Sequence, residues 1–332
     1  MPEFSDVRWS VLDLVPVTTE TTPAQALRAS VDLAPVVEQL GYHRLWVAEH
    51  HGMPGIASSS PAVLIAHLAE ATSTLRVGSG GVMLPNHAPL VVAEQFGTLE
   101  ALHPGRIDLG IGRAPGTDQA TAYALRRTPD ISADAFPEDL SQVRAFLGGT
   151  YPRIRAVPTP DSPPSVWLLG SSGFSAQLAG MLGLPFAFAH HFSARFTDPA
   201  LALYRKTFEP VDVLERPYAM VTAAVFAADT DEEARRLAAP QGLSILRLRS
   251  GHPGLLPTPE EALAYDYAPQ EREAIDSFTE SHVVGGPDTV RKGLLALLER
   301  TRPQELMVST NIGDPVARRR SYEIVAEIAK EL

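Results

Sequence analysis

Four apolar residues, Leu45, Trp46, Val47 and Ala48, run straight into Glu49, His50 and His51. Four is enough for a strand buried on both faces and too few for a helix. A carboxylate beside two imidazoles can exchange protons near neutral pH, because a free imidazole titrates near about 6.5. The same three groups would also serve to cap a strand and hydrogen-bond loop backbone. Metal binding is a third possibility, and spacing opposes it. Neighbours on an extended strand point to opposite sides, so a metal held from a barrel strand favours His-x-His. None of the ten histidines has that spacing: they come as the pairs His50-His51 and His190-His191 and as six singles. No metal is expected. Two further runs end in ligand-binding chemistry, with Arg76 to Pro85 closing on a glycine-rich turn and Arg106 to Gly112 leading into Arg113.

Such groups meet only if the strands carrying them run parallel, since in parallel barrels and open sheets ligands collect at the carboxyl ends of the strands. The chain supplies that order. Strands are expected at Trp9 to Val15, Arg44 to Ala48, Leu75 to Leu84, Ile107 to Gly112, Val166 to Gly170, Phe186 to His190, Tyr218 to Ala227 and Glu305 to Ser309. Helices are expected between them, at Ala24 to Leu40, Pro61 to Ala71, Pro89 to Leu102, Glu138 to Leu147, Ser175 to Leu182 and Pro199 to Phe208. A seventh opens at Asp231 to Ala239 and Val316 to Lys330 closes the chain. Proline begins two of the early helices, where its missing N–H costs nothing, whereas Pro35 falls inside the first. Eight strand-helix units predict an α/β fold, a (β/α)8 TIM barrel with insertions, in one domain over residues 1–332.

The insertions are 114–164 and 242–286. The first holds a polar stretch to Asp134 and a proline cluster at Pro158 to Pro164. The second holds Gly251, Pro253, Gly254, Pro257 and Pro259, and its part from Gly251 to Ser281 is expected to be a mobile lid.

The 332 residues, 45% of them hydrophobic, can bury a large core. A net charge of -11 disfavours nucleic acid or an anionic membrane as partner. There is no cysteine, hence no disulfide framework and no thiol catalysis. The first 23 residues lack a basic segment followed by an apolar core, and no apolar stretch approaches membrane-spanning length. A soluble, cytoplasmic protein is expected.

Five segments, in order and across nearly the whole chain, resemble the bacterial-luciferase-like flavin-dependent oxidoreductases. They are Leu-Trp-Val-Ala-Glu-His-His (45 to 51), Arg-Val-Gly-Ser-Gly-Gly-Val-Met-Leu-Pro (76 to 85), Gly-Arg-Ile-Asp-Leu-Gly-Ile-Gly-Arg (105 to 113), Leu-Leu-Gly-Ser-Ser-Gly-Phe-Ser (168 to 175) and Val-Gly-Gly-Pro-Asp-Thr-Val (284 to 290). The resemblance implies that the flavin ring lies over a non-proline cis peptide at Gly80-Gly81, where two glycines let a flat ring approach the backbone. It implies that the FMN phosphate meets Arg113 and the helix start at Ser171, Ser172 and Ser175, with Phe174 either packing on the cofactor or stapling the helix. It places His50 beside the reactive face of the flavin, Glu49 as an orienting group, and His190 or His191 on the substrate side. Where the light-emitting members carry a cysteine this chain has Gly112, so bioluminescence is not implied.

The function implied is that of a monooxygenase that reacts reduced FMN with O2 to a C4a-hydroperoxyflavin and oxygenates a small organic substrate. A hydride-transfer enzyme using F420 or FMN, or a flavin-binding protein without turnover, are the alternatives. No Gly-x-Gly-x-x-Gly fingerprint opens a helix, so reduced flavin would come from a separate reductase. Family habit implies a homodimer through helices 61–71 and 89–102, with Ala62, Ile65, Ala66 and Ala69 letting two helices approach.

Overall fold

The computed structural model describes residues 4–114, 119–126, 135–211 and 213–332, so part of the first insertion (115–118 and 127–134) lies outside the described residues. Strands β1 (Arg8–Asp13), β2 (Arg44–Val47), β3 (Arg76–Met83), β4 (Ile107–Gly112), β5 (Ser165–Gly170), β6 (Phe186–Phe188) and β7 (Ala219–Ala227) pair in sequence, all parallel. A short β8 (Val283–Gly285) adds to the end of β7, and β9 (Glu305–Ser309) lies between β7 and β1. The sheet closes on itself as the expected eight-stranded barrel, with β8 as an outlier that periodicity alone does not show. Every residue of β7 is buried, as a strand covered on both faces requires.

The first helices are α1 (Pro23–Gln39), α2 (Pro61–Glu70), α3 (Pro89–Leu102), α4 (Gln119–Arg126), α5 (Phe136–Leu147) and α6 (Gly173–Met181). They are followed by α7 (His190–Ser193), α8 (Thr197–Thr207), α9 (Asp231–Arg249), α10 (Pro259–Ala264), α11 (Pro269–Thr279), α12 (Pro287–Thr301) and α13 (Pro315–Ala329). Several differ from expectation for physical reasons. Helix α1 runs through Pro35 unbroken, and α9 passes Pro240 to reach Arg249, so the second insertion starts later than Gly242. Two of its prolines are helix starters: Pro259 and Pro269 stand in first turns, the former behind a Thr258/Glu261 capping box. The expected lid is therefore largely helical. Gly242 is the contact point, since a Cβ there would come within 2.9 Å of Ile275 of α11. Helix α4 interrupts the stretch read as polar, and strand β6 stops at Phe188, leaving both histidines in a helical turn.

The main core lies between strands and helices; a smaller one fills the barrel with Leu12, Trp46, Trp167, Ala187, Met220 and Met307. Below it, at the amino ends of the strands, sits an ionic floor. Arg44 bridges Glu305 (Nε–Oε1 2.7 Å) and Asp108 (Nη1–Oδ2 2.6 Å). Trp46, Arg76, Ser10 and Tyr218 donate to the same two carboxylates, so each of the four oxygens accepts two hydrogen bonds. Burial pushes the Asp108 carboxyl up, but Arg44 and Arg76 outweigh it and hold it below the usual range. Ile65 and Ala69, expected on an outer face, pack inward, while Val63, Val91 and Leu102 of α2 and α3 face outward. Among the described residues no helix is long and apolar enough to cross a membrane.

Candidate active site

The carboxyl ends of the strands open into a cavity of about 450 Å³. Glu49, His50, Gly80, Gly81, Arg113, Ser171, Ser172 and Ser175 all line it. His190 does not: it is buried, with Nδ1 2.8 Å from the Thr197 hydroxyl, and His191 lines the cavity in its place.

One side is a bed without side chains. The Gly80-Gly81 peptide bond is cis, and the register between β3 and β4 shifts between Ser79 and Val82. A Cβ on Gly80 would lie 2.7 Å from Leu12, and one on Gly81 2.8 Å from the Gly110 carbonyl oxygen. The surface there must be backbone, which suits a flat ring.

At one end stands Arg113, whose guanidinium carbon lies 4.2 Å from the Phe174 ring centroid, so Phe174 orients the charge. Facing it is the start of α6. Its N-cap, Ser172, makes no side-chain capping bond, which leaves first-turn amides for an anion. Ser193 Oγ donates to the Ser171 carbonyl (2.9 Å) and fixes the turn.

The acid-base groups are differently constrained. Glu49 Oε1 accepts from the rings of His51 (2.7 Å) and His87 (2.6 Å), and Oε2 from the Met83 amide (3.0 Å), so this carboxylate ties the ends of β2 and β3 together. Burial raises its pKa, but His87, His51 and the amide more than compensate and it stays below the usual carboxylate range. Ligand atoms of Glu49, His51 and His87 lie within 4.8 Å of one another, a grouping with metal-ligand chemistry. Spacing along one strand does not reveal it, because it joins Glu-x-His on one face with a histidine beyond the next strand. His50 is lowered, first by burial and then by neighbouring His51 against the pull of Glu49, and its Nδ1 has no partner among the described residues.

His191 is pushed down to about 4 by burial and is neutral at pH 7. Its Nδ1 lies 3.1 Å from the Thr222 carbonyl, which can only accept, so Nδ1 carries the proton and Nε2 keeps a lone pair. His282 is likewise lowered by burial and donates from Nε2 to the His191 carbonyl (3.2 Å), leaving a lone pair on Nδ1. His282 also lines the cavity, as do Thr222, Phe226, Gln241, Ser244 and Asn311. None of these stood out in the sequence. Gln241, Ser244, Ile245 and Leu248 recur at helical spacing, which is the signal of an ordinary core face.

The model of a known family, described as luciferase-like monooxygenase, matches residues 7–305. The chain belongs to that family. Within it, a luciferase-like monooxygenase of Escherichia coli (strain K12) is 46% identical over 98% of both chains. An uncharacterised Bacillus subtilis (strain 168) relative, YvbT, is 50% identical over 98% of this chain and 97% of that one. The crystal structure of apo-MsnO8 superposes with a TM-score of 0.91 at 40% identity, covering 98% of this luciferase-like chain and 99% of that chain.

Proposed function

We propose that this chain is a monooxygenase that binds reduced FMN and places one oxygen atom from O2 on a small organic substrate. The observation that carries the reading is the union, in one cavity, of a side-chain-free bed at Gly80-Gly81, an anion end at Arg113 and α6, and the imidazoles of His50 and His191. Bound reduced flavin would supply the electrons that activate oxygen. Arg113 and the α6 amides pair with the phosphate, and Ser171, Ser172 and Ser175 supply short donors beside it. Gly80 and Gly81 admit the ring. His50 brings an imidazole with an unpaired Nδ1, and Glu49 keeps the strand ends around it in place. His191 Nε2 offers a second acceptor. His190 is tied to Thr197 and would act only through its neighbour.

Two solved structures share the fold at low identity and differ in cofactor. The oxygenating constituent of a diketocamphane monooxygenase from Pseudomonas putida, 21% identical with a TM-score of 0.74, is in complex with FMN, and the match covers 98% of this chain and 99% of that one. An F420-dependent secondary alcohol dehydrogenase, 15% identical with a TM-score of 0.69, covers 97% of this chain and 99% of its own. Titrating the purified protein with reduced FMN, oxidised FMN and F420 tests the reading. Tightest binding of reduced FMN, with O2 uptake on mixing, supports it; preference for F420 without O2 uptake overturns it. A separate reductase and a homodimer through Val63, Val91 and Leu102 belong to the same proposal, and sedimentation as a monomer at micromolar concentration would remove the dimer.

A further inference from the structure

The cavity continues past the flavin bed to an end that the flavin groups do not use. Its wall is the last two turns of α9, where Gln241, Ser244, Ile245 and Leu248 present one helical face. Phe226 and Phe278 complete an apolar lining. Set into it are atoms with unmet hydrogen-bonding capacity: among the described residues Ser244 Oγ and Asn311 Oδ1 are buried without a partner, while Gln241 Nε2 donates to the Asn311 backbone carbonyl (3.0 Å). Buried polar atoms are normally paired, so such a cluster in a ligand-sized cavity points to groups that a ligand completes. Backbone carbonyls fix the tautomers of His191 and His282 so that each keeps a lone pair on the ring nitrogen not tied to the wall. Among the described residues Arg113 is the only lysine or arginine lining the cavity. Two arginines of α9 stand near the far end without lining it: Arg249 is exposed over the Phe278 ring, and half-buried Arg247 has its Nη1 3.9 Å from where a Cβ on Gly254 would stand.

From this geometry we infer that the far end takes an uncharged, mainly apolar molecule carrying one O–H or N–H donor, positioned by Ser244 and Asn311. An anion would find only neutral donors, the Ser244 hydroxyl and the Asn311 amide, and no lining cation to offset its desolvation. A molecule with only acceptors would leave Asn311 Oδ1 and the ring nitrogens unmet. The assignment rests on the monooxygenase reading for its place in catalysis, but not for the binding itself.

The test is calorimetry on the protein, with and without saturating oxidised FMN, using three probes of one skeleton: para-hexylphenol, para-hexylanisole and para-hexylbenzoate. The phenol should bind, the anisole about three- to tenfold more weakly, and the benzoate at least about tenfold more weakly. Ser244→Ala and Asn311→Ala should each weaken the phenol about three- to tenfold, while FMN affinity, read in the same titration, stays at the parent value and shows the variants folded. Equal affinity for phenol and anisole, a preference for benzoate, no phenol binding at its solubility limit, or variants that bind the phenol normally would each overturn the inference. Probe discrimination without FMN binding would leave it standing and sink the flavin reading.

Discussion

The two ends of the barrel both hold buried polar groups, and they treat them oppositely. At the floor, Asp108 and Glu305 have every oxygen doubly satisfied by Arg44, Arg76, Trp46, Ser10 and Tyr218. At the mouth, among the described residues, His50 Nδ1, Ser244 Oγ and Asn311 Oδ1 lack partners, and Arg113 lies over the Phe174 ring. The floor carboxylates are closed by protein groups, whereas the polar atoms at the mouth are left open for a ligand, at some cost in stability.

The largest effect should come from opening the closed end. Arg44→Met leaves two buried carboxylates underpaired and should destabilise by about 3–5 kcal/mol in urea denaturation, with FMN affinity of the remaining folded protein unchanged. A loss under 1 kcal/mol, as an order of magnitude for surface sites, would mean the floor is no structural keystone. Arg113→Ala should do the reverse, weakening FMN about tenfold to a hundredfold, or about 1.5–3 kcal/mol, with stability within about 0.5 kcal/mol of the parent. Unchanged FMN affinity would move the phosphate site elsewhere.

Acidification tests both ends at once. Burial pushes His43, beside the floor, and His190 and His191, at the mouth, down to about 4. Their unfolded pKa is near about 6.5, so the unfolded chain binds protons that the folded chain refuses. Stability is complete above that value and falls as pH drops towards 4, by up to about 1.4 kcal/mol per pH unit for each ring, and the slope vanishes below 4. Thermal melts of the parent, His43→Asn and His190→Asn over this window should show each variant losing its own share of the slope. Parallel curves would refute the assignment. The smallest effect should be that of Phe174→Leu, which removes the ring beneath Arg113 and should weaken FMN about two- to fivefold, as an exposed cation–π contact of about 0.5–1 kcal/mol implies. A loss as large as that of Arg113→Ala would make Phe174 a direct flavin contact.

The barrel was legible because its strands are short apolar runs punctuated by glycine and proline. The strand-end cavity groups were legible because Glu49, Gly80, Gly81 and Arg113 interrupt an apolar pattern, whereas the roles assigned to them came from the resemblance. The far end was not. Ser244 and Leu248 belong to an amphipathic helix whose period is the same whether it faces a core or a substrate. His190 and His191 are adjacent, and only the stop of β6 at Phe188 decides which of them turns to the cavity. The bracket of His87 onto Glu49 joins positions that no single element connects.

Helix α9 starts as a barrel helix, capped by Thr230 and covering β7, and finishes as a piece of overhanging roof held by α10 and α11. One helix thus spans two jobs, packing on β7 and β8 as well as on α10 and α11 while its second half lines the cavity. Changes at 241, 244, 245 and 248 alter the roof without touching a strand, so the enzyme can exchange one clientele for another while its foundation stays as it was.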